Sequence, residues 1–494
     1  MTVAQTAKVK EALAEVEQEK EAGGKRAVIG LLVAFGLLLA IHLGPSIPGV
    51  KPQAQTVLAI FAWFIACMVT ECFPKLAIGL GTPLLLVLLG GFKIPEGFRA
   101  FSSGVFFLGA GAFIFAGTMM GTPLGRRLAV GITTAMRSIK ATRIMAGLAG
   151  ADLAIGGVLP TVTETALFLP IVKAVTTFMK GKEHLPETRR IESALLYMDP
   201  GLMPLFTGPL ILTSHFPNIM LVGYLATNEK ISISWIQWFW LNLPLWGLLP
   251  ILYFYVVWYF QLKGLDIPGA DIELGRMQKQ LGPMQWQEKW AAGCIVLGLA
   301  IWITEGWLHK IDTNMVAILV VVLLFLPVGG ISYQAIAPHV LWDVLFLLGG
   351  AICLGDALSA SGAVTWMANL AVAPLKGSAL PIVAVLFILV AALHIARAGV
   401  LSAVAMGAAF IPLAVGLAKP LGASVMPFSL IVINCLSYAF LLPISITAFM
   451  IAWGATRTSA WEVVKFGVPL TIISNVYVIL AQSAWLALIG YPLR

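Results

Sequence analysis

The sequence predicts an all-α polytopic membrane protein. Three observations carry that expectation: too few charges, long charge-free apolar runs, and two self-similar halves interrupted by glycine and proline. Hydrophobic residues make up 59% of the 494 and charged residues only 11%. Soluble domains average about 25% charged residues, so this chain cannot cover a water-facing surface. The stretches Val28 to Ile41, Val57 to Thr70, Leu76 to Gly91 and Gly104 to Gly121 are early examples of the runs. With their small polar flanks they reach the roughly 17 residues that a helix needs to cross ~30 Å of hydrocarbon. Backbone groups in lipid must be paired internally, which favours helices over open sheet. The alternating segments of a membrane β-barrel are absent. About 11 transmembrane helices are expected.

The formal net charge of +8 sits mainly in a few clusters. Lys8, Lys10, Lys20, Lys25 and Arg26 lie at the N-terminus, and Lys180, Lys182, Arg189 and Arg190 form a second group. A third is scattered between Lys263 and Lys289. Such clusters in a membrane chain are topology signals and not a nucleic-acid footprint, because positively charged loops stay cytoplasmic. The expectation is a multi-pass protein of the cell (inner) membrane with its N-terminus inside. Residues 1–26 read as a cytoplasmic tail or surface helix. They are not a secretory signal, since no short apolar core with a small-residue cleavage site follows the basic region. The five cysteines lie in or beside apolar segments without ligand spacing, as small buried apolar residues do.

The most polar internal stretch, residues 261–290, divides the chain into membrane halves 27–260 and 291–494. The halves share an ordered series of features. Thr70-Glu71 matches Thr304-Glu305, and Gly90-Gly91 matches Gly329-Gly330. Phe106 to Gly111 matches Phe346 to Ala351, and Ala166 to Pro170 matches Ala408 to Pro412. Trp235 to Leu245 parallels Trp461 to Leu470. Five ordered matches, mostly separated by about 240 residues, point to an inverted repeat, the common architecture of carriers. Each half also contains an apolar segment broken by small residues, Ala146 to Val175 and Ala384 to Leu417. These read as re-entrant helical hairpins near 139–175 and 381–415, where unwound backbone and half-helix N-termini face ions or substrate.

Candidate site residues cluster at these breaks. Thr161, Thr163 and Thr165 alternate just before an apolar helix, a pattern suited to cradling an anion on exposed NH groups. Arg397 and Ser402 occupy the corresponding region of the second half, near His394. An intramembrane arginine marks a functional or paired site, and its fork geometry suits a carboxylate or sulfonate. Glu164 is its natural cross-repeat partner. Thr213 to Asn218 forms a third cluster and Pro443 to Thr447 the matching one. The substrate candidates are thus Thr161, Thr163, Thr165, Asn218, Arg397, Ser402 and Thr447. The coupling-ion candidates are Asp152, Glu164, Ser214, His215 and Ser445, with Asp199 and Asp356 ranked behind Asp152. No Walker A loop, GxGxxG, HExxH or GxSxG motif is present, so neither an enzyme nor a resident metal or organic cofactor is expected.

Together with Gly81-Thr82-Pro83, Trp342 to Leu345, Phe216-Pro217-Asn218 and Ala439 to Pro443, these motifs resemble the divalent anion:sodium symporter (DASS) family. The resemblance covers roughly residues 55 to 490. It implies an inverted repeat, an N-terminus inside and a C-terminus outside, homodimers and an elevator motion. The implied function is secondary active transport of a small anion of the di/tricarboxylate, sulfate or sulfonate class by alternating access. The family's Ser-Asn-Thr hairpin motifs are altered here. Pro160-Thr161-Val162 stands at the first tip and Ser402-Ala403-Val404 at the second. The missing asparagines leave the coupling ion open between Na+ and H+. The alternative is a cation/proton antiporter of the wider ion-transporter superfamily, in which Asp152 or Glu164 would titrate.

Overall fold

The computed structural model describes residues 24–25, 27–182, 184–375, 380–397, 402–442 and 446–494. Most of the 1–26 tail, the second hairpin tip at 398–401, and Ser445 lie outside them. Every regular element among the described residues is helical.

The first half runs through α1 (Ala27–His42), α2 (Pro52–Thr70), α3 (Lys75–Leu88) and α4 (Gly104–Gly121). Next come α5 (Leu124–Ala135) and the hairpin helices α6 (Ala141–Ile155) and α7 (Thr161–Val175). Then α8 (Pro186–Tyr197), a π-helical turn at Met198–Leu202, α9 (Met203–Leu210) and α10 (Phe216–Tyr224) follow. A bent pair, α11 (Trp235–Leu241) and α12 (Leu248–Tyr259), closes the half. The connector contains α13 (Ala270–Leu281). The second half repeats the order with α14 (Trp286–Thr304), α15 (Thr313–Leu324), α16 (Trp342–Ser361) and α17 (Ala363–Val372). Its hairpin helices are α18 (Ile382–Arg397) and α19 (Ala403–Ala418), followed by α20 (Val425–Ser437), α21 (Thr447–Gly454) and α22 (Ala460–Leu488).

Four of these, α2, α4, α16 and α22, are each long and apolar enough to cross a bilayer. The segment 235–259, bent by 53°, counts as a fifth. Other apolar helices have only 10–17 residues, because proline and glycine break the runs into half-helices. Breaks at membrane depth persist where the freed backbone groups find partners inside the protein. Asn218 Nδ2 does this between α9 and α10, donating to the carbonyls of Gly208 at 2.8 Å and Ile211 at 2.9 Å. At the 53° bend, a buried amide network performs the same task. Asn434 Nδ2 donates to Asn242 Oδ1 at 2.7 Å and to Gln482 Oε1 at 3.0 Å, and Gln482 Nε2 donates to the Leu241 carbonyl at 3.2 Å.

The halves pack reciprocally. Helix α3 of the first lies along α16 of the second, and α15 of the second lies along α4 of the first. Likewise α10 packs on α19, and α21 on α7. The glycine-rich stretches that reveal the repeat are these crossings. A Cβ on Gly79 would overlap the Phe346 carbonyl, and one on Gly350 would overlap the carbonyl of Gly79. Small residues let membrane helices approach backbone to backbone, where dispersion substitutes for the hydrophobic drive that lipid removes.

The connector is stitched to the first hairpin. Ala141 N donates to Leu265 O at 2.9 Å and Ile267 N to Ile139 O at 2.7 Å. Arg127 on α5 clamps Glu288 bidentately, Nε to Oε2 at 2.6 Å and Nη2 to Oε1 at 3.1 Å, and donates to the Gly282 carbonyl at 2.8 Å. The Glu288 side chain is 1% exposed and that of Arg127 is 21% exposed. Removing one partner of a largely buried pair leaves an uncompensated charge. Arg127→Ala is therefore expected to cost about 2 kcal/mol, discounted for the exposed arginine. Thermal unfolding in detergent checks this, and adding Glu288→Gln should recover part of the loss. On α13, by contrast, Arg276 beside Glu273 holds that carboxyl below the usual carboxylate range. The arginine side chain is 59% exposed, so the pair adds little stability.

Candidate anion site between the hairpin tips

The first tip is the turn Gly156 to Pro160 between α6 and α7, and it docks onto the α9–α10 break. Thr213 Oγ1 donates to the Gly157 carbonyl at 3.1 Å. Ser402 begins the return helix of the second hairpin and caps it, accepting from Ala405 N at 3.4 Å. Serine is a favoured N-cap because its hydroxyl replaces a missing helical acceptor.

Both tips reach one cavity of about 470 Å³, lined by Pro160, Thr161 and Val162 from the first and by Ser402, Ala403 and Val404 from the second. Phe216 and the pair Ile446 and Thr447 bring the two post-hairpin breaks to the same space. Pro74 and Lys75 add the start of α3, and Leu341 and Asp343 the start of α16. Six helix N-termini, those of α3, α7, α10, α16, α19 and α21, therefore converge on it. Each carries unpaired NH groups and the positive end of a helix dipole, so their sum favours negative charge. The end of α2 closes the remaining side with Cys67, Met68 and Glu71.

Of the sequence-predicted substrate residues, Thr161, Ser402 and Thr447 line this cavity. Thr165 turns away, donating to the carbonyls of Thr161 at 3.1 Å and Pro200 at 2.8 Å. Thr163 is buried on the same helix. Asn218 stitches the α9–α10 break, with its Oδ1 buried and without a hydrogen-bond partner among the described residues. Arg397 is 2% exposed at the last turn of α18 and does not line the cavity. Its Nε and Nη1 have no hydrogen-bond partner among the described residues.

The ion candidates divide similarly. Ser214 Oγ donates to the Ile211 carbonyl at 2.9 Å, an internal bond of the break. His215 is buried within electrostatic range of Arg397. Asp152 and Glu164 lie beneath the first tip with no solvent exposure. Glu164 accepts from Thr207 Oγ1 at 3.1 Å on each oxygen and forms no ion pair with Arg397 among the described residues. The cross-repeat salt bridge that the sequence suggested is therefore absent: the carboxyl takes a hydroxyl on the neighbouring helix of its own half. Asp356 is satisfied by Asn228 Nδ2 at 2.9 Å.

Sequence reasoning missed the cavity's charged rim, the exposed Glu71, Lys75 and Asp343. A signal was present in Lys75. A lysine in the first turn of a helix opposes the dipole, an arrangement that an approaching anion would compensate.

Comparisons with known proteins place the chain in a family. The family model described as the sodium:sulfate symporter transmembrane region matches residues 25–491. A protein of Cupriavidus necator named only as a membrane protein is 25% identical over 483 residues, covering 94% of this chain and 93% of its own. The L-tartrate/succinate antiporter of Escherichia coli is 27% identical over 418 residues, covering 79% of this chain and 83% of its own. Among solved structures, the YdaH transporter of Alcanivorax borkumensis superposes with a TM-score of 0.51 at 13% identity, covering 85% of this chain and 99% of that one. That likeness concerns the fold. The motif resemblance and the family match agree, and the chain belongs to the sodium:sulfate symporter family, as a membrane anion transporter and not an enzyme.

Proposed function

We propose that the chain is a secondary active transporter of a small di- or tricarboxylate, sulfate or sulfonate, which binds between the two hairpin tips and crosses by alternating access. The observation that carries this reading is the convergence of six helix N-termini on one cavity of about 470 Å³. That volume lies within the ~300–1,000 Å³ of small-molecule sites. Thr161, Ser402 and Thr447 contribute hydroxyls to the anion, Lys75 attracts it at the rim, and Arg397 adds a fixed positive charge behind the second tip. The relative named as an L-tartrate/succinate antiporter makes four-carbon dicarboxylates the first probes. An elevator-type displacement of the hairpins, coupling to Na+ or H+, a homodimer, and inner-membrane placement with a cytoplasmic N-terminus complete the reading.

A thermal-shift panel of succinate, L-tartrate, sulfate and an alkyl sulfonate, with and without Na+, tests it together with exchange in proteoliposomes. A ligand at about one hundred times its Kd stabilises the native state by about 2.7 kcal/mol. At least one probe is expected to shift unfolding and to exchange saturably. The buried Asp152 and Glu164 favour a second reading, a cation/proton antiporter. Proton flux driven by Na+, with no panel anion bound or exchanged, would establish that reading and end the first.

A further inference from the structure

Under the first tip, three elements bring together three carboxyl groups: Asp152 on α6, Glu164 on α7 and Asp199 in the π-helical turn. All three have no solvent exposure. Asp152 and Glu164 lie within hydrogen-bonding reach of one another, and Asp199 is an electrostatic neighbour of both. Space for the Glu164 carboxyl exists because position 156 is glycine, where a Cβ would overlap Glu164 Oε1 and press on Thr207.

Donors and acceptors do not balance. An ionised carboxylate only accepts hydrogen bonds. The Thr207 hydroxyl serves Glu164, while both oxygens of Asp152 and both of Asp199 are buried and accept from no other donor among the described residues. Three negative charges packed together in a membrane interior, with no cation against them among the described residues, are not tenable. Something positive accompanies them. Among the described residues, no group of three His, Cys, Asp or Glu side chains is placed to hold a metal ion. A proton on a carboxyl brings a hydrogen-bond donor as well as a positive charge, which a bare cation does not.

We propose that Asp152, Glu164 and Asp199 form the proton-carrying site of this transporter, so that anion movement is coupled to H+. This rests on the anion-transport reading above. Glu164 stands in the first turn of α7, whose N-terminus lines the anion cavity at Thr161. A proton taken up by the cluster removes a negative charge about one helical turn, ~5.4 Å, from the NH groups that meet the anion. Proton uptake on one side therefore favours anion binding there, and proton release on the other favours its departure.

Other titratable groups on the surrounding helices are engaged elsewhere or exposed, Glu187 of α8 and Asp271 and Lys279 of α13 among the exposed ones. Tyr197 on α8 shares a hydrogen bond with Thr458, and Arg189 and Arg190 of that helix reach Glu462 and Gln261. On α12, Tyr253 and Tyr255 donate to the carbonyls of Thr142 and Phe466, and Tyr259 packs on Phe466. Arg127 of α5 holds Glu288, and Glu273 of α13 holds Arg276. Arg126 of α5, Arg143 of α6 and Lys173 of α7 are exposed, whereas α9 and α21 carry no Asp, Glu, His, Lys or Arg. The charged neighbour of His215 is Arg397.

The test uses the full chain in proteoliposomes with succinate, L-tartrate and sulfate as probes, in one arm with a pH gradient and Na+ equal on both sides, in the other with a Na+ gradient and equal pH. For one coupled proton, a one-unit pH gradient supports about tenfold accumulation, since each factor of ten is about 1.4 kcal/mol. The wild type is expected to accumulate an exchanged probe toward that limit. Asp199→Asn should collapse accumulation and leave any exchange insensitive to pH. Accumulation that follows a Na+ gradient and ignores the pH gradient overturns the proposal, as does full pH-driven accumulation by Asp199→Asn. If no probe exchanges, the anion reading fails, and infrared spectra then decide the proton site alone. Protonated-carboxyl bands at neutral pH that shrink in Asp199→Asn, Asp152→Asn and Glu164→Gln support it, and their absence from the wild type rules it out.

Discussion

Ser402→Asp is expected to stop anion exchange while leaving the second hairpin folded. Aspartate caps a helix as well as serine does, so the bond to Ala405 N is preserved in kind. What changes is the sign of the charge in a cavity built from helix N-termini. At an effective dielectric constant of about 20, two like charges about 5 Å apart repel by roughly 3 kcal/mol. That is on the order of a hundredfold weaker binding for a monoanion, and more for a dianion. Ser402→Asn has nearly the same shape and the same capping ability without the charge, so it should lose far less. Exchange of succinate, or of whichever panel anion exchanges fastest, separates the two variants. Equal rates for Asp and Asn would remove the anion from this end of α19.

Gly79→Ala and Gly350→Ala are expected to be strongly destabilising single-carbon changes. In each case the added carbon meets backbone of the facing helix, Phe346 for Gly79 and Gly79 itself for Gly350. A side chain can rotate away; a carbonyl on a packed helix cannot. Separating α3 from α16 forfeits close contacts along the crossing, a cost of about 3 kcal/mol for an overpacked core site. Because the two changes strain one crossing, their combined cost should fall short of the sum. Gly131→Ala is the control, since nothing lies within 4 Å of its added carbon and α5 gains the better helix former. Thermal unfolding in detergent should rank Gly131→Ala at or above the wild type and both crossing variants well below. A Gly79→Ala protein as stable as the Gly131→Ala control would show that this crossing tolerates separation.

The repeat was legible because its signal is geometric. The stretch Phe106 to Gly111 and its match Phe346 to Ala351 are the small-residue faces that the reciprocal crossings require. That Thr161, Ser402 and Thr447 would line a shared cavity was legible for a related reason. Hydroxyls just before an apolar run mark a helix start, and a helix start in a broken span faces a cavity. The charged partners were not legible. Glu164 and Arg397 invite pairing by position in the repeats, yet Thr207, at a separation of 43 residues, takes the carboxyl. Nothing in local pattern distinguishes a hydroxyl on the adjacent helix from a guanidinium across the pseudo-symmetry. Asp199 was ranked behind Asp152 because it falls outside the broken segment. The π-helical turn at Met198–Leu202 places it with Asp152 and Glu164, and that turn leaves no clear trace in hydropathy. Glu71 served as a landmark of the repeat, which obscured its place on the rim.

The exchange of partners between halves has a consequence for how the chain is made. Since α3 waits for α16 and α4 for α15, the first 260 residues leave the ribosome with their glycine faces uncovered. Those faces stay in contact with lipid until the second half has been inserted. The nascent protein thus resembles one subunit of an antiparallel dimer whose mate is still being synthesised. The connector, held by Arg127 at Gly282 and Glu288, is the tether that keeps the mate at high local concentration. A short and well-anchored tether raises the chance that the glycine faces find each other before they find another chain.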